Sequence, residues 1–226
     1  MKHLFLSAAI AALTLSACSS GSASSQSSKT VDAIAAMPTS GPQAAFVRPD
    51  AVPAGQATAI FAGGCFWCME KDFEKLPGVS EAISGYTGGT ADNPNYKQVS
   101  YTETGHYEAV MVLYDPNVVS YGELLDHYWV NVDPEDPNGQ FCDKGSSYRT
   151  AIFATPEQIG EAKASKDAIV KSGKVERVVT PVEMATTFYL AEDYHQDFYK
   201  KSPVRYKSYR FGCGRDARLK ELWGSK

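Results

Sequence analysis

The chain lacks a cluster of basic residues, a long hydrophobic run and an internal repeat. Its 22 Lys and Arg residues are spread among 26 Asp and Glu residues, for a net charge of −4, which argues against a nucleic-acid-binding protein. The early apolar run at residues 4–15 is too short for an ordinary membrane span. With 43% hydrophobic residues among 226, the sequence predicts one globular domain that carries extensions.

Residues 1–17 have the features of an export signal, since Lys2 precedes the apolar run and small residues follow it. Residues 15–18, Leu-Ser-Ala-Cys, resemble the lipobox of bacterial lipoproteins, in which the cysteine is lipidated and becomes the first residue. Ser19 in the next position resembles an outer-membrane sorting signal. We therefore expect an exported protein, anchored by lipid at Cys18 in the bacterial cell envelope, in the outer membrane facing the periplasm. The alternative is an ordinary cleaved signal in which Cys18 is incidental.

The segment after the signal is poor in residues that could form a core. Residues 19–28 contain seven serines, and prolines and glycines recur through residue 55. Such a composition buries too little apolar surface to order itself. The sequence thus predicts a flexible tether over residues 18–56 and a folded domain over residues 57–226.

Residues 63–70, Gly-Gly-Cys-Phe-Trp-Cys-Met-Glu, are the most informative stretch of that domain. They follow a short apolar run and precede a helical pattern, which places Cys65 at the first turn of a helix. The partial positive charge of a helix N-terminus favours a thiolate, so we expect an activated nucleophile there. Phe66 and Trp67 would form apolar walls beside the sulfur. The alternative is a buried, inert cysteine that happens to begin a helix.

Four cysteines remain if Cys18 is lipidated, and export places them in an oxidising compartment. Two structural disulfides are one alternative for them, although a domain of this size does not need such cross-links. A zinc site is another, formed by Cys65, Cys68, Cys213 and His195. The signal for zinc is weak, because only one close cysteine pair exists.

Strand and helix patterns alternate along the domain and predict a single α/β or α+β layered fold. Ser120 and Glu123 form a capping box that opens a helix to about residue 130. The region between that helix and the next strand is polar and irregular. The predicted strands cover residues 58–62, 79–86, 106–114, 151–154 and 178–183, and the other predicted helices end near residues 76, 173 and 201.

Six segments of the domain resemble the peptide methionine sulfoxide reductase A family and occur in that family's order. They span about residues 57–200, so a chance match is very improbable. The resemblance implies an α/β sandwich around a mixed sheet with a ferredoxin-like core, flanked by helices and much irregular chain. It also implies reduction of the S-epimer of methionine sulfoxide, free or in proteins, without a bound metal or organic cofactor. The segments are residues 63–70, 84–89 (SGYTGG), 95–96 (NY), 104–110 (TGHYEAV), 143–152 (DKGSSYRTAI) and 191–196 (AEDYHQ).

The resemblance assigns the chemical step to Cys65 and Glu108. A sulfoxide sulfur is electrophilic, but its oxygen leaves poorly until it is protonated. Cys65 would attack that sulfur and become a sulfenic acid, while Glu108 would donate the proton. Glu108 needs a raised pKa for this task, which burial among aromatic side chains can supply. Phe66 and Trp67 would bind the substrate methyl group.

Three further residues match the family's site. Tyr96 and Tyr148 would hydrogen-bond the sulfoxide oxygen as charge develops on it, and Asp143 would order the site. Each has a simpler alternative, because most tyrosines pack in the core and an aspartate often caps a turn. We interpret His106 and His195 as structural.

A second thiol must resolve the sulfenic acid into a disulfide, and two candidates exist. Cys213 lies in Phe-Gly-Cys-Gly, a segment expected to be flexible enough to reach the site, and is similar in position to the family's C-terminal resolving cysteines. Cys68 lies one helical turn from Cys65, as in thioredoxin dithiols, but a bond there could distort the helix start. The sequence favours Cys213, with Cys68 as the alternative and Cys142 as a bystander.

The expected partners are oxidised proteins or free methionine sulfoxide as substrate, and a thioredoxin-like protein, or dithiothreitol in vitro, as reductant. A monomer is expected. The competing function is thioredoxin-like dithiol–disulfide exchange at Cys65 and Cys68, which predicts no sulfoxide turnover and has no use for Glu108.

Overall fold

The structure, a computed structural model, describes residues 52–224. The signal, Cys18 and most of the predicted tether lie outside these residues. The strands are β1 (Ala57–Gly63), β2 (Val79–Thr87), β3 (Tyr107–Tyr114), β4 (Gly139–Gln140), β5 (Asp143–Lys144), β6 (Thr150–Ala154), β7 (Val182–Met184) and β8 (Tyr189–Leu190). The helices are α1 (Phe66–Phe73), α2 (Tyr96–Tyr101), α3 (Tyr121–Trp129), α4 (Ile159–Ser172), α5 (Phe198–Lys201), α6 (Pro203–Gly212) and α7 (Arg215–Trp223), with a 3-10 turn at Ser146–Tyr148. Among the described residues, no helix is both long and apolar enough to cross a membrane.

The central sheet has the strand order β7-β6-β1-β3-β2-β8. Its four inner strands and the helices α1 and α3 follow one another as β-α-β-β-α-β, and the three pairings among these four strands are antiparallel. This is the predicted ferredoxin-like core. The edge strand β7 pairs in parallel with β6, while β8 pairs antiparallel with β2, so the sheet is mixed.

Side chains of β3 alternate between two apolar clusters, because successive residues of a strand point to opposite faces. Val110 and Val112 join the cluster beneath α1 and α3, whereas Ala109 and Met111 join the cluster on the other face. Both faces are buried, which explains the continuous apolar run of this strand. Glu108 shares the parity of Val110, and it therefore points toward the helix that carries the catalytic cysteine candidate.

The predicted capping box of α3 is confirmed. The Ser120 hydroxyl accepts a hydrogen bond from the Glu123 amide at 3.2 Å, and the Glu123 carboxylate accepts one from the Ser120 amide at 2.8 Å. Leu124, Leu125 and Trp129 then fall on one face at helical spacing, and all three are buried in the main core. This packing holds α3 beside α1.

Helix α2 was not predicted from the sequence, and two other local predictions were wrong. Asn95 opens α2 with a capping box to Gln98. The strand expected over residues 178–183 is shorter and later, at Val182–Met184. The helix expected over residues 192–201 is reduced to α5, because Asp197 adopts a left-handed conformation with φ 54° directly before it.

The C-terminal segment is helical, contrary to the expectation of a flexible tail. Helix α6 begins with a proline in its first turn, a position where the missing N–H costs nothing. Gly214, with φ 68°, separates α6 from α7. Tyr206 and Arg210 bury one face of α6, and Arg215 and Leu219 bury one face of α7. The two helices thus bring charged and aromatic side chains against α1.

Candidate active site

Cys65 lies at the turn between β1 and α1, as predicted, and serves as the N-cap residue of the helix. The turn requires Gly64, which has φ 80°, and a Cβ atom there would lie 2.6 Å from the Cβ of Gln140. The Cys65 side chain is buried and makes no capping hydrogen bond at the helix start. The amide of Phe66, the first residue of α1, is thus left for an acceptor from another element.

Glu108 is buried at 2% exposure and occupies that helix start. Its carboxylate accepts a hydrogen bond from the Phe66 amide at 3.1 Å. Burial raises the pKa of Glu108 to about 8, and the Phe66 N–H offsets only part of that rise. The carboxyl group is thus protonated at neutral pH, in agreement with the expectation for a proton donor. The alternative of a solvated glutamate at the rim of the strand is wrong.

Tyr96 and Tyr148 lie together on the side of Glu108. Tyr96 begins α2, and its amide donates to the Glu192 carboxylate at 2.9 Å, which fixes the start of that helix. Both phenol groups lie close enough to Glu108 for its charge to disfavour their ionisation, in addition to the effect of burial. Burial raises the pKa of both phenols, so both remain O–H donors across the physiological range.

Phe66 and Trp67 form the apolar wall expected from the sequence. Their ring centroids are 6.5 Å apart and tilted by 37°. Trp67 stacks on Phe198 at 3.8 Å, and its indole N–H donates to Nδ1 of His195 at 3.1 Å. Burial lowers the pKa of His195 to about 4, so the ring is neutral and acts as an acceptor. This supports its interpretation as a structural residue that orients Trp67.

His106 is buried and also has a structural position. Its Nδ1 accepts from the Gly89 amide at 3.2 Å, and its Nε2 lies 2.8 Å from the Ala91 carbonyl. Gly89 leaves no room for a Cβ, which would lie 2.4 Å from the His106 amide. The imidazole therefore holds the loop that precedes α2.

Tyr209 is a site residue that the sequence analysis missed. Its hydroxyl hydrogen-bonds the Asp143 carboxylate, and its side chain packs against the cluster that contains Cys65 and Cys68. Its ring meets Trp67 edge-on at 5.8 Å. Burial raises the pKa of Asp143, which here holds Tyr209 rather than capping a turn. The sequence signal that could have revealed α6 is the spacing of Tyr206 and Arg210, which lie one helical turn apart on its buried face.

Cys213 forms a disulfide with Cys142, with an S–S distance of 2.00 Å and a Cα–Cα distance of 4.9 Å. Cys142 is therefore not a bystander, and Cys213 is fixed at the end of α6 rather than in a mobile segment. Cys65 and Cys68 are free thiols. The sequence favours Cys213 as the resolving thiol for Cys65, whereas in the structure Cys213 is paired with Cys142.

Cys65 and Cys68 interact electrostatically, and their pKa values move in opposite directions. Burial raises the pKa of Cys65 well above its ordinary value. The interaction with the neighbouring Cys65 thiol, aided by the charges of Arg215 and Arg210, lowers the pKa of Cys68 to about 7. Burial thus opposes the thiolate that the helix terminus was expected to favour at Cys65. The charges of Arg215 and Arg210 favour the thiolate of Cys68.

The predicted zinc set is not brought together. Among the described residues, two groups of three side chains have the spacing of metal ligands, and neither contains Cys65, Cys68 or His195. One group uses the sulfurs of the Cys142–Cys213 disulfide, which are not available as thiolates.

Comparisons with known proteins agree with this geometry. A family model described as peptide methionine sulfoxide reductase matches residues 57–226. Peptide methionine sulfoxide reductase MsrA 2 of Caulobacter vibrioides is 54% identical over 167 residues, covering 74% of this chain and 85% of that protein. The MsrA of Bacillus subtilis is 49% identical over 170 residues, covering 74% and 96%.

Two solved structures have a similar fold. Methionine sulfoxide reductase A of Corynebacterium diphtheriae superposes with a TM-score of 0.62 and 32% identity, covering 67% of this chain and 77% of that one. Reduced Mxr1 of Saccharomyces cerevisiae superposes with a TM-score of 0.63 and 30% identity, covering 67% and 88%.

Proposed function

Because the chain belongs to the peptide methionine sulfoxide reductase A family, and is thus a thiol-dependent peptide-methionine (S)-S-oxide reductase, we propose a role for each site residue in that reaction. The buried, protonated Glu108 beside Cys65 is the observation that carries the assignment. Dithiol–disulfide exchange as the main activity is disfavoured, because it leaves Glu108 and the two tyrosines without a task.

The chemical step pairs an acid with a nucleophile. Glu108 protonates the sulfoxide oxygen, while the phenols of Tyr96 and Tyr148 donate hydrogen bonds to the same oxygen. The Cys65 sulfur attacks the sulfoxide sulfur. The sulfoxide is thereby reduced by two electrons and leaves as methionine. Cys65 retains the oxygen as a sulfenic acid. Cys68 shares the negative charge of the thiol pair and can take the Cys65 proton as attack begins.

The substrate methyl group fits against Phe66 and Trp67. Trp67 is held on three sides by Phe198, His195 and Tyr209, so the wall is rigid. When the methyl group is fixed there and the oxygen is fixed at Glu108, one of the two sulfoxide epimers directs its sulfur at Cys65 and the other does not. This arrangement supports selectivity for the S-epimer.

Cys68 resolves the sulfenic acid in this proposal, in preference to Cys213. Cys68 is the other free thiol in the buried cluster that contains Cys65, and its pKa is lowered to about 7, which favours a thiolate near neutral pH. Cys213 becomes a free thiol only after its bond to Cys142 is reduced. The resulting Cys65–Cys68 disulfide is reduced by an external dithiol, for which a thioredoxin-like protein outside the cytoplasm is the natural source.

The first experiment gives the purified protein a peptide containing either epimer of methionine sulfoxide, with dithiothreitol, and measures methionine release. We expect turnover of the S-epimer and none of the R-epimer. A second arm omits the reductant, begins with all cysteines reduced, and maps the disulfide formed by mass spectrometry. A Cys65–Cys68 bond is expected, whereas a Cys65–Cys213 bond would restore the sequence-based choice. Disulfide exchange without reduction of either epimer would contradict the function.

We propose that the enzyme repairs oxidised proteins from a lipid anchor in the cell envelope. The support is the Leu-Ser-Ala-Cys stretch that ends at Cys18 and the serine-rich segment after it. We expect the wild-type protein to fractionate with outer membranes and to incorporate labelled fatty acid, and Cys18→Ser to lose the label while the reductase activity per molecule is unchanged. Equal labelling of both, or absence from the membrane fraction, would contradict the anchor.

A further inference from the structure

Arg215 is buried at 2% exposure at the start of α7 and reaches beneath α1. Its Nη1 donates to the Gly63 carbonyl at 3.1 Å, and its Nη2 donates to the Asn131 carbonyl at 2.7 Å. Its Nη2 also contacts the Met69 sulfur at 3.1 Å. The Nε atom has no hydrogen-bond partner, and the carboxylate oxygen nearest to it, on Asp72, lies 3.9 Å away. The guanidinium is therefore held in place mainly by neutral groups.

The surrounding charges leave this cation incompletely balanced. Asp72 is shared among three cations, since it accepts from Arg210 at 2.7 Å and from Lys75 at 3.0 Å and is 3.9 Å from Arg215. Asp216 pairs with Arg210 from the exposed rim. A buried charge without a full partner is costly, so the site favours one more anion.

Cys68 is the group that can supply this anion. It is fully buried on α1 one turn before Asp72, so both side chains lie on the same helix face. The positive charges of Arg215 and Arg210 favour its thiolate, and Asp72 opposes it. The other ionisable groups around the sulfur remain neutral, because burial raises the pKa values of Cys65 and Glu108 and of the α6 phenols Tyr206 and Tyr209. Lys71 lies over the Tyr206 ring, with its Nζ 4.9 Å from the ring centroid, and is partly exposed.

We propose that Arg215 is a positioning residue that, with Arg210, holds Cys68 as a thiolate ready to attack the Cys65 sulfenic acid. The inference rests on the proposed function, in which Cys68 is the resolving thiol. In that step the Cys68 thiolate sulfur forms the S–S bond, the S–O bond of Cys65 breaks, and the hydroxyl group takes up one proton from the solvent and leaves as water. The Cys68 sulfur is oxidised and the Cys65 sulfur is reduced, so the step needs no other reactant.

A titration of the single thiol at position 68 tests the electrostatic part. In a full-length Cys18→Ser, Cys65→Ser chain with the Cys142–Cys213 disulfide intact, Cys68 is the one free thiol. Its thiolate is followed by ultraviolet absorbance and by the pH dependence of alkylation with iodoacetamide. Arg215→Met in this background should raise the pKa of Cys68. At pH values below that pKa, the thiolate fraction should fall about tenfold for each unit of the rise.

The matched control is Arg218→Met, on the same helix. Arg218 pairs with Asp133 and Glu135 near the surface, and its removal deletes the same charge without touching α1. We expect the control to titrate like the parent and Arg215→Lys to restore most of the shift. Equal midpoints for folded Arg215→Met and Arg218→Met would overturn the proposal and leave Arg215 as a purely structural anchor.

A variant of opposite sign keeps the test decisive if Arg215→Met does not fold. Asp72→Asn removes the carboxylate that opposes the thiolate, so its midpoint should move to lower pH. A shift to higher pH would overturn the proposal.

The resolving role is tested separately, in the Cys18→Ser chain with Cys65 present and the Cys142–Cys213 disulfide intact. After one turnover with sulfoxide, the Cys65 sulfenic acid is trapped with dimedone at successive times. Arg215→Met should form methionine in the first turnover but retain the sulfenic acid about tenfold longer at slightly acidic pH. A shifted midpoint with unchanged decay of the sulfenic acid would show that Cys68 is not the resolving thiol.

Discussion

Cys65→Ser is expected to abolish sulfoxide reduction, with a loss in kcat on the order of 10⁴ or more. A serine hydroxyl fits the same buried N-cap position, so the fold should persist, but its oxygen cannot accept the sulfoxide oxygen and return it to a thiol. Methionine release from the S-epimer peptide, with dithiothreitol in excess, measures the loss. The thermal unfolding midpoint shows whether the variant is folded.

The matched control is Cys68→Ser, which removes a sulfur one turn away. It should still release one methionine per enzyme molecule without reductant, because Cys65 and Glu108 remain. Its steady-state rate should fall unless dithiothreitol attacks the sulfenic acid directly. Activity of Cys65→Ser near that of the parent would exclude Cys65 as the nucleophile.

Glu108→Gln is expected to slow the first-turnover burst of methionine by about 10²- to 10⁴-fold, the usual contribution of a positioned acid. Glutamine keeps the shape and can still accept the hydrogen bond from the Phe66 amide. It lacks the acidic proton that the leaving oxygen requires. A burst within a few-fold of the parent would remove Glu108 from this role.

The pH profile gives a second readout of the same residue. The pKa of Glu108 is raised to about 8, so its acidic form predominates at neutral pH and is lost as pH rises through that value. The parent burst rate should therefore fall on the alkaline side, with a midpoint near the Glu108 pKa. In Glu108→Gln this falling limb should disappear, and its persistence would assign the limb to another group.

The inner strands could be predicted from sequence because their apolar runs are buried on both faces, as Val110 and Ala109 illustrate. The α3 boundary was readable from the chemistry of Ser120 and Glu123. The short helix α2 was missed, since the turn residues before it obscured the capping box at Asn95. Local sequence patterns were thus sufficient where residues close together in the sequence determine the structure.

The role of Glu108 came from the family resemblance, and the position of Cys65 from the Gly-Gly turn before a helical pattern. The contributions of the C-terminal helices could not be found from local patterns. Tyr209 and Arg215 reach the site by tertiary packing over long sequence distances, outside the six segments that carried the resemblance. The charges that favour a Cys68 thiolate, those of Arg210 and Arg215, lie on those same helices, so a local analysis could not find them either.

The contact between Arg215 and the Gly63 carbonyl also sets an order of events during synthesis. The two residues are 152 positions apart. A ribosome adding 5–20 residues per second needs roughly eight to thirty seconds to supply the second after the first. Until then the underside of the Cys65 turn has no guanidinium to close it, and both of its thiols are open to passing oxidants. A product that terminates before α7 would retain the nucleophile, the acid and the tyrosines. Its two reactive sulfurs would, however, lack the buried Arg215 guanidinium beneath them.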